Sequence, residues 1–226
     1  MIDAASDAEH GVNDKRHFTP DLLRNAVGAT CHRLQNNYFC DPNSREHHSA
    51  RAALAELRRH ASLDITGDAL ALANALFVMD GEFANKLAGK GDDPTDSEYA
   101  AFVALTLFGI HMQSATSPQH IPGTSFAAAC GKLHSLEISD SIKPRIDAML
   151  LAGNEKSRLV HIRSLITLLR GQDIGLDYGL LAQDLRALAD PRKRSGVQLR
   201  WGRDFANGYF MGRTTNNSAT STPESN

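Results

Sequence analysis

The stretch from Leu176 to Phe205 decides the fold of the C-terminal half; it reads LDYGLLAQDLRALADPRKRSGVQLRWGRDF. Apolar residues recur at helical spacing on both sides of its proline, which predicts two helices, at about 177–190 and 195–209. Between them, residues 190–194 (Asp-Pro-Arg-Lys-Arg) predict a tight basic turn. The stretch contains neither a nucleophile beside a base nor a set of metal ligands. It therefore offers positive charge on a rigid frame, which suits a polyanion.

The same helical spacing continues through the rest of the chain, without a convincing alternating run of strand length. This predicts an all-α protein with about nine helices in two packed helical bundles. The segment 117–123 (Ser-Pro-Gln-His-Ile-Pro-Gly) cannot continue a helix and is the best boundary between the bundles. We therefore expect an N-terminal helical domain at 17–123 and a basic C-terminal helical domain at 124–212. The polar ends, residues 1–16 and 213–226, are predicted to be disordered.

Individual helices carry start signals and burial patterns. The sequence from Thr95 to Glu98 fits a capping box, followed by an apolar helix ending near Ser114. Residues 68–80 are apolar on every side and predict a centrally buried helix. The longest apolar run, residues 99–112, is shorter than the roughly 20 residues that span a bilayer, so we expect a core helix and no membrane partner.

Composition limits the setting in which this protein works. Its 226 residues are enough to bury a sizeable core without disulfides or metal. Cys31, Cys40 and Cys130 are an odd number of cysteines without the spacing of a metal site, which favours reduced, buried thiols in a cytoplasmic protein.

Charge is distributed unevenly along the chain, although the net formal charge is only −2. Residues 1–142 contain 11 Lys and Arg against 18 Asp and Glu, whereas residues 143–213 contain 13 against 7. An acidic half followed by a basic half favours contact with a polyanion, with a merely solvated basic surface as the alternative.

Catalytic and metal-binding patterns are missing from the sequence. The ten histidines form no HExxH motif and no His-Asp dipeptide, and the phosphate-binding GxxxxGK[ST] motif is absent. Cys31, His32 and Cys40 match no zinc pattern. We therefore predict no catalytic residue, no metal site and no cofactor, and a protein that is not an enzyme.

The basic residues form a more coherent pattern. Lys156, Arg163 and Arg170 are seven residues apart, so they lie on one stripe of a helix at 155–171. Arginine dominates the set, and its planar guanidinium fits phosphate oxygens. The predicted nucleic-acid-binding residues are Arg145, Arg163, Arg170, Arg192, Lys193, Arg194, Arg200 and Arg203. The alternative for each is capping a helix end or pairing with Asp184, Asp190 or Asp204. Trp201 could stack on a base, but its apolar neighbours favour a place in the core.

Residues 176–205, together with 107–114 (LFGIHMQS) and 120–125 (HIPGTS), resemble the CasB-type small subunit of the type I-E CRISPR surveillance complex, Cascade. The resemblance covers about 95–210, and the closing segment 199–205 (LRWGRDF) is its most specific part.

The resemblance implies an all-α, non-catalytic subunit for antiviral defence that stabilises the R-loop. Its implied partners are the guide RNA, the target and non-target DNA strands, other Cascade subunits and a second copy of itself. The basic positions of the family fall here on Arg145, Arg163 and residues 192–194. A further family arginine has no basic match, because Thr95 and Asp96 stand in its place.

Two other classes of protein compete with this interpretation. A helix-turn-helix DNA-binding regulator would read a groove with residues 177–205, but the second helix begins Ser195-Gly196-Val197 and offers few base-reading side chains. A helical adaptor would use its basic half to bind an acidic protein. A sequence-specific footprint would favour the regulator, and binding to a protein partner without nucleic acid would favour the adaptor.

Overall fold

The structure, a computed structural model, describes residues 21–60, 62, 70–79 and 86–220, with side chains up to residue 214. Within these ranges the chain forms nine α-helices and no β-strand, which confirms the all-α prediction. The helices are α1 Leu22–Tyr38, α2 Arg45–Arg59, α3 Ala71–Phe77, α4 Asp96–His111, α5 Phe126–Ser135, α6 Ile142–Leu151, α7 Glu155–Gly171, α8 Tyr178–Ala189 and α9 Pro191–Thr220. In this part of the chain, none of them has the length and hydrophobicity needed to cross a bilayer.

Polar side chains begin most of these helices. The predicted capping box of α4 is present: Thr95 Oγ1 accepts from the Glu98 amide at 3.2 Å, and Glu98 Oε2 accepts from the Thr95 amide at 2.7 Å. These two bonds satisfy two backbone donors that the first turn of a helix leaves unpaired. The helix ends at His111, three residues before the predicted end near Ser114.

The central element is α4, which is buried on every side. Phe102, Val103, Leu105 and Phe108 are fully buried, and α1, α2, α3, α7 and α8 pack around the helix. Apolar residues of both predicted domains thus belong to one continuous core. The division of the chain between 123 and 124 stays a prediction.

The last helix crosses α5 in the closest helix contact of the C-terminal half. A Cβ on Gly208 would lie 2.1 Å from the carbonyl oxygen of Ala128, and one on Gly131 would lie 2.1 Å from that of Phe205. Only glycine permits the two backbones to approach this closely. Because α9 is held along α5, its outer face is presented to solvent in a defined orientation.

Several sequence-based expectations need correction. Residues 190–194 are not a free turn, because α9 begins at Pro191 and not near 195, and it continues to Thr220, past the predicted end at 209. The apolar segment predicted at 68–80 is described as α3 only over Ala71–Phe77, and Phe77 is 86 % exposed instead of central. Cys40 is only half-buried, whereas Cys31 and Cys130 are buried. Of the ends predicted to be disordered, residues 213–220 instead belong to α9, and residues 1–16 and 221–226 lie outside the described residues.

Candidate nucleic-acid interface

The loop at 117–123, in the acidic half, is hydrogen-bonded to the loop between α7 and α8, in the basic half. This contact positions α7 and α8. The Ile121 amide donates to Leu176 O and the Leu176 amide donates to Gln119 O, each at 3.0 Å, which forms a short parallel bridge. The side-chain amide of Gln35 on α1 holds the same loop: its Nε2 donates to His120 O at 3.0 Å, and its Oε1 accepts from the His120 amide at 2.9 Å. The loop that sequence analysis treated as a boundary is thus hydrogen-bonded on both sides.

The central basic helix, α7, buries one side and exposes another. Leu159, Ile162 and Leu169 lie in the core, whereas Lys156 and Arg163 are exposed, as the seven-residue spacing predicted. Within the described part of the chain, the Arg163 side chain has neither an ion pair nor a hydrogen bond. Its positive charge is therefore available to an external anion.

The other two predicted residues around α7 are tied to neighbouring helices. Arg170 is half-buried, and its Nη1 donates at 2.7 Å to Oε1 of Gln113, just beyond the end of α4. Arg145 on α6 donates through Nη1 to the hydroxyl of Ser164 on α7. Both arginines fasten helices together while leaving other N–H groups for a ligand.

At the connection between α8 and α9, two of three consecutive cations surround a single acid. Asp190 accepts hydrogen bonds from the amide and the guanidinium of Arg192 and lies 3.7 Å from Lys193 Nζ. The hydrogen bonds from Arg192 lower the pKa of Asp190 below its usual value. Arg194 instead turns toward the end of α8, where its Nε donates to Leu188 O at 3.0 Å. One carboxylate faces two exposed cations here, so a net positive charge remains.

About two turns further along α9, Arg200 meets a buried acid of α8, whereas Arg203 does not. Asp184 is 2 % exposed and accepts a hydrogen bond from the Trp201 indole at 2.6 Å and another from Arg200. Trp201 is itself 1 % exposed and packs against Phe126, so it belongs to the core, as its neighbours indicated. Arg203 is exposed and has no side-chain partner among the described residues.

The eight predicted residues therefore fall into three groups. Two, Arg163 and Arg203, are exposed and unpaired within the described residues; Arg192 and Lys193 share Asp190. The remaining four are tied to the protein itself: Arg145, Arg170, Arg194 and Arg200. Their role as nucleic-acid ligands stays a prediction, and the first two are the strongest candidates.

Sequence reasoning overlooked one exposed arginine, Arg213, and did not place the buried Arg158. Arg213, near the end of α9, is exposed, and its guanidinium carbon lies 5.7 Å from the centre of the Tyr209 ring. Its ten-residue distance from Arg203 places both on neighbouring faces of one helix, a spacing that was visible in the sequence. Arg158 is only 3 % exposed, and its Nη2 donates to Ala152 O at 2.9 Å, so it braces the turn between α6 and α7 instead of reaching solvent.

Histidines in the centre of the protein have structural partners. His111 is fully buried, and its Nδ1 lies 2.7 Å from the Tyr178 hydroxyl. Burial, followed by the positive charge of Arg170, lowers the pKa of His111 to about 4. Nδ1 of His120 accepts from the Tyr178 amide at 3.2 Å. In the described ranges, no group of three or more His, Cys, Asp or Glu side chains could hold a metal ion.

Comparison with known proteins identifies relatives of the chain. The family model for CRISPR-associated protein Cse2 matches residues 53–205. The crystal structure of CasB from Thermobifida fusca is 28 % identical, with a TM-score of 0.66, over 83 % of this chain and 99 % of that one. No curated protein sequence matches.

Two further solved structures are more distant in sequence. The Cse2-family CRISPR-associated protein from Thermus thermophilus is 21 % identical, with a TM-score of 0.54, over 80 % of this chain and 97 % of that one. CasB from M. ruber is 19 % identical, with a TM-score of 0.52, over 85 % and 98 %. At these identities the two structures show a shared fold alone.

Proposed function

The chain belongs to the family of CRISPR-associated Cse2 (CasB) proteins, and on that premise we propose that it is a non-catalytic small subunit of a type I-E CRISPR surveillance complex. In this proposal it binds the nucleic-acid backbone through its basic half and stabilises the R-loop during recognition of foreign DNA. Its partners are the guide RNA, both DNA strands, other subunits and a second copy of itself.

The observation that carries the proposal is the exposed charge of Arg163 and Arg203, whose side chains have no partner among the described residues. Arginines that only stabilise a fold have partners, as Arg200 has in Asp184. At the α8–α9 connection, Asp190 alone faces both Arg192 and Lys193, so the excess charge extends there as well. Fixed guanidinium groups without counter-ions are suited to phosphate oxygens.

A few such contacts are enough for the proposed role. An R-loop exchanges DNA–DNA pairs for RNA–DNA pairs of similar stability, so modest contacts with the strand backbones decide whether the open state persists. Contacts with phosphates are indifferent to sequence, and pairing with the guide already reads the sequence. The helix-turn-helix alternative has less support, because at the start of α9 Arg194 is tied to Leu188 O.

Salt dependence of binding tests the proposal. If the basic half neutralises about 4 phosphates of a single strand, the logarithm of the binding constant falls with that of salt concentration with a slope of about −3. From about 50 to about 200 mM salt, the affinity drops on the order of 50-fold. An affinity that does not change over this range would contradict the proposal, and a strong preference for one duplex sequence would favour the regulator.

Charge-reversal variants test which arginines form the nucleic-acid-binding surface. We expect Arg163→Glu and Arg203→Glu each to weaken strand binding and to shorten R-loop lifetime in the assembled complex, with guide loading intact. The matched control is Arg51→Glu, an exposed arginine on α2 in the acidic half. Equal losses in all three variants would show a general charge effect and would contradict the assignment of the surface.

A further inference from the structure

The outer face of α9 carries a stripe in which arginines alternate with apolar side chains. Residues 192, 199, 203, 210 and 213 succeed one another at intervals of seven, four, seven and three, which keeps them on one side of a helix. Their side chains are all exposed; Leu199 is 57 % and Phe210 is 65 % exposed. We call these five residues the α9 stripe: Arg192, Leu199, Arg203, Phe210 and Arg213.

The stripe lacks negative charge. Asp204 is the only acidic residue between Pro191 and Thr220, and it lies about a quarter-turn away from Arg203. Outside the helix, Asp190 pairs with Arg192. The pKa of Arg213 is raised first by its hydrogen bond to Tyr209, then by the charge of Tyr209, and then by that of Glu137. Arg203, at the middle of the stripe, has no such partner in the described part of the chain.

Phe210 is supported by a cluster of rings behind it. Its ring centre lies 5.6 Å from that of Tyr209, which lies 5.1 Å from His134 on α5. Arg213 is held above the same tyrosine ring and donates through Nη1 to the Tyr209 hydroxyl at 2.9 Å. Phe210 therefore stands as an exposed aromatic surface on a rigid base, with a positioned guanidinium one turn away.

We infer that the α9 stripe binds single-stranded nucleic acid, with a base stacked on Phe210 and the flanking phosphates at Arg203 and Arg213. An aromatic side chain between two cationic ones fits this ligand, because each base offers a π-face and each linkage a negative charge. A duplex keeps its bases stacked inside, so it would leave Phe210 without a partner. The inference rests on the proposed function and specifies a strand-binding site within it.

The aromatic part of the site lies beyond the residues that the family model matches, whereas Arg203 lies within them. The family model ends at Phe205, before Tyr209, Phe210 and Arg213. The stacking surface thus lies on the part of α9 that follows the family match.

The decisive measurement compares two strands with equal phosphates, an oligothymidine of about 20 nucleotides and an abasic strand of the same length, at low salt. Phe210→Ala should weaken binding of the thymidine strand about 5- to 100-fold and leave binding of the abasic strand unchanged. Phe210→Trp should restore thymidine binding. The matched control is Phe77→Ala, since Phe77 is 86 % exposed on α3 and has no arginine within seven residues on its helix.

The outcomes separate this inference from the proposed function. Salt-dependent binding of both strands with no effect of Phe210→Ala would overturn the stacking site and leave the proposed function intact. Failure of the wild-type protein to bind either strand would overturn both. If Phe210→Ala alters sedimentation of the protein but not strand binding, the stripe is a protein contact and the inference is wrong.

Discussion

The carboxylate of Asp184 accepts a 2.6 Å hydrogen bond from the indole nitrogen of Trp201, and both side chains are almost fully buried. The bond joins α8 to α9 inside the core. It also directs the indole away from solvent, so the only tryptophan of the chain is a structural residue. The aromatic surface available to a ligand lies further along α9.

Replacing Asp184 should reveal the cost of leaving that indole unpaired. Asp184→Leu removes the acceptor, and a buried N–H without a partner costs about 1–3 kcal/mol. Asp184→Asn keeps a carbonyl oxygen in the same position and should lose less. Urea unfolding followed by Trp201 fluorescence measures both; equal stability of the two variants would show that the indole bond contributes nothing.

Arg200 and Arg203 lie one turn apart on α9, and we expect the stability of the protein to depend on the first and not on the second. Arg200→Ala leaves the buried Asp184 carboxylate without its ion pair and should lower the free energy of unfolding by about 1–3 kcal/mol. Arg203→Ala removes a side chain without a described partner, so stability should change by less than about 0.5 kcal/mol.

Strand binding should distinguish the same two variants. Arg203→Ala should lower the slope of affinity against salt by about 0.7, the value for one phosphate contact on a single strand. A folded Arg203→Ala variant with an unchanged slope would remove Arg203 from the site.

The buried His111 should make the protein sensitive to mild acid. Its pKa is lowered to about 4 by burial and then by Arg170, whereas in the unfolded chain it is near the ordinary 6.5. Above 6.5 both states are neutral; between these values only the unfolded state binds the proton. Stability present above 6.5 is therefore lost as the pH falls toward 4, by about 3 kcal/mol.

Comparison of wild type with His111→Gln isolates this contribution. The wild type should lose about 3 kcal/mol more than the variant between about pH 7 and about pH 4, because the carboxylates titrate in both proteins. Parallel pH profiles of the free energy of unfolding would show that the pKa of His111 is the same in the folded and unfolded states.

Two glycines of α9 should respond in opposite directions to alanine. In Gly208→Ala the new Cβ meets the Ala128 carbonyl oxygen at 2.1 Å, so α5 and α9 must separate, at a cost of about 1–3 kcal/mol. Gly202 has nothing within 4 Å of a Cβ, and its replacement should stabilise the helix by about 0.5–1 kcal/mol. Thermal unfolding measures both shifts; a neutral Gly208→Ala would contradict the described crossing.

Local sequence patterns predicted the features that depend on residues close together in the chain. The capping box at Thr95 and Glu98 involves groups three residues apart, and the exposed positions of Lys156 and Arg163 follow from helical periodicity alone. The basic turn was predicted less well, because proline at the first position of a helix and proline in a turn look alike in sequence. The structure begins α9 at Pro191.

The sequence by itself determined the helices, the segregation of acidic and basic halves and the candidate arginines, since helical spacing and net charge are local properties. Only the tertiary structure decided which arginines are free. Arg200 meets Asp184 from 16 residues away and Arg170 meets Gln113 from 57, whereas Arg163 and Arg203 meet no described partner. Pairing depends on distances between helices, which helical periodicity does not specify. The difference between arginines with a partner and arginines without a described one therefore arises only when the helices pack.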